Sequence, residues 1–130
     1  MSARIAESIK NTVLEFIADL KDAIFTGPAE QGDLLIVEFF FKKMTNTAIS
    51  DHVVTNVLPH KAQIEERKIE FFLKKKKEIF AGLPEDRVNY FADLVRKSEE
   101  EGGLAADDRD VIWKYFDTLL ELAAEYKKKK

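Results

Sequence analysis

Two histidines are the residues of this chain best suited to acid–base or metal chemistry. His52 and His60 are eight residues apart with Pro59 between them, and no His-Glu-x-x-His or comparable ligand spacing surrounds either one. His52 could pair with Asp51, but adjacent residues of a helix point in different directions and the sequence places no nucleophile beside them. The pattern favours histidines at the surface or at the core edge. It predicts no catalytic residue and no cofactor.

Acidic residues form three clusters, and carboxylate oxygens are the ligands that hard cations prefer. None of the clusters has the alternating acidic loop of an EF-hand. Aspartates at the start of a helix are favoured by its dipole, and a run of glutamates is typical of a solvated helix end. We therefore expect no metal site. A metal-dependent hydrolase or nuclease that uses the last cluster is the enzymatic alternative; the clusters are Glu65-Glu66 with Glu70, Glu99-Glu100-Glu101, and Asp107-Asp108 with Asp110.

Four consecutive lysines cover about one helical turn and cannot share one face of a helix. Lys76 falls on the apolar row that contains Leu73 and Phe80, so either its stem packs along that row or the helix is irregular there. With the lysines at positions 127–130, this run supports an alternative function in nucleic-acid binding through phosphate contacts. The net charge of -3 argues against a general nucleic-acid binder. The run consists of Lys74, Lys75, Lys76 and Lys77.

Aromatic residues are the other candidates for recognition. Phe39-Phe40-Phe41 and Phe71-Phe72 contain more aromatic surface than one helix face buries, so their helices are either central or part of an interface. Trp113 lies off the apolar stripe of its helix, where it either fills a groove against a neighbouring helix or anchors a partner. The candidate partner-binding residues are therefore Trp113, Phe39 and Phe71.

The elements that position these residues are predicted to be helices of one domain. A chain of 130 residues can remove roughly two-thirds of its unfolded surface from water. Its 45% apolar and 35% charged residues, with five glycines and three prolines, are typical of a compact helical protein. We predict a single all-α domain over residues 1–130, a compact bundle of five or six helices.

The boundaries of these helices follow from their apolar spacing and from glycine and proline. The first helix is predicted to end before Gly27-Pro28. The apolar run from Leu34 to Phe41 could be a buried strand, but no second strand-like run exists to pair with it, so helix is favoured. One longer helix is predicted to follow Pro59 and to end at Ala81-Gly82. The closing helix is predicted from about Asp107 to Lys127.

The sequence also bears on the compartment. The longest apolar run is far shorter than the ~20 residues that span a bilayer, and charged residues interrupt the amino-terminal segment where a signal peptide would be continuous. The absence of cysteine excludes disulfides and fits a reducing compartment. We expect an intracellular protein that is not bound to a membrane.

A set of short strings in the second half of the chain carries a family resemblance. The most specific is Ile112-Trp113-Lys114-Tyr115, followed by an apolar helix, and the similarity covers residues 58–126. In these strings the chain resembles small helical proteins encoded by large nucleocytoplasmic DNA viruses. The resemblance implies a viral origin and a place in the virion or in the cytoplasm of the host cell. It supplies no catalytic residues.

The leading hypothesis is a non-enzymatic protein-interaction or structural protein, in the form of a virion component or an accessory factor. It would present aromatic surface and charged flanks to a protein partner, and a homo-oligomer remains open. The alternative is a nucleic-acid-binding accessory protein that uses the lysine clusters.

Overall fold

A computed structural model describes residues 2–129, which form helices joined by short turns and contain no strand. The all-α prediction is confirmed. A π-helical turn at Leu20–Ile24 extends the first helix, and 3-10 turns lie at Leu58–His60 and Glu99–Glu101. The α-helices are α1 (Ser2–Asp19), α2 (Pro28–Lys42), α3 (Asn46–Asn56), α4 (Lys61–Glu65), α5 (Ile69–Lys74), α6 (Lys76–Ile79), α7 (Glu85–Arg96) and α8 (Ala106–Lys129).

The predicted count of five or six helices is too low, because the region after Pro59 is not one helix. It consists of α4, α5 and α6, with breaks at Arg67 and Lys75. Arg67 has φ 57°, a left-handed conformation that ends α4, and Lys75 both closes α5 and precedes α6. The irregularity proposed around Lys76 is therefore present, one residue earlier.

The centre of the bundle is α1, which packs most extensively against α8 and α3. Its buried side chains recur every three or four residues, as the sequence predicts. Phe16 of α1 stacks on Tyr115 with ring centroids 4.9 Å apart and meets Phe116 edge-on at 5.5 Å. The buried apolar residues of the other helices join this one cluster.

The run from Leu34 to Phe41 lies in α2, so the helix interpretation of this run is confirmed. Gly27 precedes the helix in an extended conformation and Pro28 opens it, where the missing N–H of proline costs nothing. One face of α2, with Leu34 and Phe41, packs into the core against α1. The opposite face points away from the bundle.

Every helix within residues 2–129 is too short or too polar to cross a bilayer.

Candidate functional site

The outward face of α2 carries the exposed large apolar side chains of the first half of the chain. Leu35 is 52% exposed, Ile36 49%, Phe39 59% and Phe40 42%. Successive residues of a helix point around its axis, so an apolar run of this length can bury only part of its side chains against one neighbour. The bundle covers one side of α2, so the apolar side chains on its other side are exposed. We call these four residues the α2 patch.

The α2 patch is about as large as the largest apolar patch of a typical monomer. Phe39 and Phe40 together expose about as much surface as one free phenylalanine, roughly 150–250 Å², and the other two residues nearly double it. The total is on the order of 300–400 Å², within the range where the largest apolar patch of a monomer is often functional. Single exposed apolar residues need no explanation, but four adjacent ones on one helix do.

Basic residues border the α2 patch at the carboxyl end of the helix. The Lys43 ammonium lies 4.3 Å from the centre of the Phe39 ring, which is a cation–π distance. Lys42 and Lys21 each lie 3.6 Å from the carboxylate of Glu38, so this carboxylate has two basic neighbours. The border of the patch is therefore cationic at this end.

Polar contacts hold the amino half of α2 against α7. Arg87 donates to Asp33 at 2.7 Å and 2.6 Å, and its guanidinium lies 4.4 Å from the ring centre of Tyr90. The hydroxyl of Tyr90 donates to Glu30, a bond that lowers the pKa of Glu30 and raises the pKa of Tyr90. These contacts fix α2 in place, so the patch rests on a braced helix.

The turn before α7 also supports the patch. Gly82 has φ 95°, and a Cβ atom at this position would lie 3.4 Å from the Cβ of Phe40. The left-handed backbone favours glycine here, and the Phe40 side chain packs against this turn. The Phe40 side chain is thereby held between the helix and this turn.

Two of the three aromatic residues predicted to bind a partner are core residues. Phe71 is fully buried and Trp113 is 7% exposed. The Phe71 ring packs edge-on against Phe116 at 5.1 Å, and Trp113 lies beside both rings. The prediction of exposed partner-binding surface at these two positions is wrong, because α4 and α5 cover this flank of α8. Phe39 is the predicted residue that lies at the surface.

The four consecutive lysines do not form one surface. Lys74 and Lys77 are exposed, whereas Lys75 and Lys76 are half-buried. The Lys75 ammonium donates to the Asn56 side chain at 3.3 Å, which directs it into the protein. The chain turns at Lys75 between two short helices, so the side chains diverge. Of the terminal lysines, Lys127, Lys128 and Lys129 close α8, and Lys130 lies outside the described residues.

The two histidines serve as packing residues with polar tips. Nε2 of His52 donates to the Glu78 carbonyl oxygen at 3.2 Å, and its ring meets Phe41 edge-on at 5.7 Å. His52 borders a core cavity of about 50 Å³, smaller than the ~150 Å³ that admits a benzene-sized ligand. His60 packs on Phe71, and burial together with nearby lysines lowers the pKa of its ring.

The acidic clusters do not converge in the part of the chain that the structure describes. No group of three or more His, Asp or Glu side chains within residues 2–129 is close enough to hold a metal ion. Asp107 and Asp108 lie in the first turn of α8, where the helix dipole favours them. The hydrogen bond to Asp117 raises the pKa of the Arg67 guanidinium, and the charge of Asp110 adds a smaller effect in the same direction.

The sequence signal for Leu35, Ile36 and Phe40 as site residues is the run Leu34–Phe41 itself. Glu38 is the one charged residue of the run, so its apolar residues point to most sides of a helix, and the number of neighbours around α2 decides which of them are exposed. That number depends on tertiary packing.

Comparison of the chain with protein families, with curated proteins and with solved structures finds no match.

Proposed function

We propose that this chain is a non-enzymatic protein-interaction protein and that the α2 patch is its binding surface. The observation that carries the proposal is the exposure of four adjacent large apolar side chains on one helix. Exposed apolar surface of this size is unfavourable in water, and a protein partner that covers it recovers that free energy.

The composition of the patch supports protein recognition. Two phenylalanines and two branched aliphatic residues resemble the apolar centre of an interface, and the lysines at one end resemble its polar rim. A helix braced by Arg87 and Tyr90 presents them with little loss of conformational freedom on binding. The setting we propose, a virion or the cytoplasm of an infected cell, follows from the viral resemblance alone.

Site-specific photo-crosslinking in the native cell tests this proposal. A photoreactive phenylalanine analogue replaces Phe39, and the matched control carries the same analogue at Lys114, an exposed position on α8. We expect a discrete protein adduct from position 39 that is weaker or missing from position 114. A second substitution on the same face, Leu35→Asp, should abolish that adduct. Equal adducts from the two positions, or an adduct that survives Leu35→Asp, would contradict the proposal.

A further inference from the structure

We propose that the occupant of the α2 patch is a second copy of this chain, docked so that the two α2 helices run antiparallel across a twofold axis near Leu35 and Ile36. This inference rests on the proposed function and names the partner. Three properties of the outward face of α2 carry it: the distribution of side-chain size, the distribution of charge and the area.

The outward face has a small half and a bulky half. Gly32 lies two turns before Phe39 on the same side of the helix, and Ala29 lies one turn earlier still. A twofold axis near the middle of α2 places Gly32 of one copy opposite Phe39 of the other. The exposed Phe39 ring would then fill the space over a residue that has no side chain.

No contact within the single chain explains why residue 32 is a glycine. A Cβ atom at this position would meet no atom within 4 Å apart from the neighbouring backbone of its own helix, and the residue lies inside a helix, where glycine is less favourable than alanine. Gly82, by contrast, has a positive φ and a close neighbour. Open space above a glycine in a helix interior fits the close approach of a group from another molecule.

Charge selects the antiparallel arrangement. Lys42 and Lys43 lie at the carboxyl end of α2, whereas the acidic residues of its amino half, Glu30 and Asp33, are bonded to Tyr90 and Arg87 of α7. In the antiparallel arrangement, the lysines of the two copies lie at opposite ends of the contact, and the helix dipoles oppose each other favourably. A parallel arrangement would bring the four lysines of the two copies together.

The α2 patch alone is smaller than half of a standard interface, so the expected dimer is weak. A standard interface buries roughly 800 Å² on each partner, and the α2 patch supplies on the order of 300–400 Å² of it. Ala29, Gly32 and the stems of the border lysines extend the contact along the helix. We expect a dissociation constant on the order of micromolar, at the weak end for specific complexes.

The absence of cysteine makes a disulfide test possible in the native chain. Ile36→Cys, next to the proposed axis, should form a covalent dimer under mild oxidation. Ala29→Cys and Lys43→Cys should each crosslink poorly alone but should crosslink to each other when the two variants are mixed. Self-crosslinking at all three positions indicates parallel helices, and no crosslinking at any of them indicates no α2 dimer. Either result would overturn the inference.

Sedimentation velocity over a range of concentrations supplies a second measurement. The wild-type chain should change from monomer to dimer as concentration rises. Gly32→Gln should raise the dissociation constant at least tenfold, although the monomer has room for the side chain and glutamine favours helix. Lys114→Gln is the matched control and should dimerise like the wild type. If the wild type stays monomeric while position 39 still crosslinks another protein, the dimer fails and the proposed function stands.

Discussion

Arg67 joins two parts of the molecule through its backbone and its side chain. Within residues 2–129 it is the one non-glycine residue with a positive φ. The Lys68 amide donates to the Gln63 carbonyl at 2.9 Å and the Arg67 amide to the Ile64 carbonyl at 3.0 Å, which is the hydrogen-bond pattern of a Schellman helix end. The guanidinium donates twice to Asp117 of α8, at 2.7 Å each. The ion pair therefore accompanies a backbone conformation that arginine disfavours.

Two substitutions separate the effect of the Arg67 backbone conformation on stability from the effect of its side chain. Arg67→Ala loses the ion pair and keeps the left-handed conformation, whereas Arg67→Gly loses the same pair but tolerates that conformation. We expect the glycine variant to be more stable than the alanine variant by about 1 kcal/mol. Urea unfolding of the two variants measures the difference. An alanine variant as stable as the glycine variant would show that position 67 is not left-handed in solution.

The ion pair also predicts a dependence of stability on pH. The hydrogen bond from Arg67 lowers the pKa of Asp117 below its usual 3.8, so the folded state holds the carboxylate charged more strongly than the unfolded state does. The stabilisation is complete above about pH 4 and is lost as pH falls through the lowered pKa. Asp117→Asn should therefore reduce stability at pH 7, by about 0.5–1 kcal/mol for a partly exposed pair.

Thermal unfolding of the wild type and of Asp117→Asn at several pH values tests this expectation. The difference between the two proteins should be largest at neutral pH and should shrink as pH falls below about 4. Glu121→Gln, an exposed carboxylate one turn along α8, serves as the control for general charge effects. A stability difference between the two proteins that stays constant down to acidic pH would contradict the lowered pKa of Asp117.

At the scale of elements, the breaks in the predicted long helix show where local sequence patterns fail to predict secondary structure. Glycine after a helix predicts its end, but Arg67 and Lys75 are good helix formers, so propensity predicts continuation through both. The contact of Arg67 with α8 competes with that propensity, and α8 is fifty residues away in sequence. By contrast, local residues define the ends of the first and last helices. The π-helical turn after α1 ends at Ile24, before the predicted stop at Gly27-Pro28, and α8 spans Ala106–Lys129, close to the predicted bounds of about Asp107 to Lys127.

The carboxyl end of α7 depends on an arginine from α8. Arg109 donates to the carbonyl oxygens of Val95 and Lys97, and to that of Leu104 at 3.3 Å. The last carbonyls of a helix have no partner within the helix, so this guanidinium replaces the missing donors. The connection from α7 to α8 is thereby fixed at both of its ends.

Arg109→Met tests this role because methionine keeps an apolar stem and removes the donors. We expect the variant to lose about 1–3 kcal/mol of unfolding free energy, the cost of leaving carbonyl groups without partners. The amide of Leu104 should also exchange hydrogen faster, since its bond to the Leu94 carbonyl at 3.1 Å lies in the same turn. Arg109→Lys, which keeps one charged donor group, should recover part of the stability. Unchanged exchange at Leu104 in Arg109→Met would contradict this role.

At the scale of the whole molecule, the sequence predicts the class of the fold better than it predicts the site. Apolar spacing marks which residues can face a core, and α1, α3 and α8 lie at the centre of that core. Whether an aromatic residue is buried or exposed depends on how many helices surround its own. Phe71 and Trp113 lie between several helices, whereas Phe39 lies on a helix with an open side. The apolar periodicity of one helix does not show how many other helices surround it.

Truncation of equivalent side chains measures this difference directly. Phe71→Ala removes a fully buried ring from the core and should cost about 3–5 kcal/mol of unfolding free energy. Phe39→Ala removes the same atoms from the exposed face of α2 and should change the stability of the monomer by at most about 0.5 kcal/mol. Both values come from denaturant unfolding at protein concentrations well below the dissociation constant of a dimer. At higher concentration the Phe39 variant should become less stable relative to the wild type, because association stabilises only the wild-type face. A cost at Phe39 comparable to that at Phe71 in dilute solution would show that this face is covered within the monomer, and the α2 patch would no longer be available to a partner.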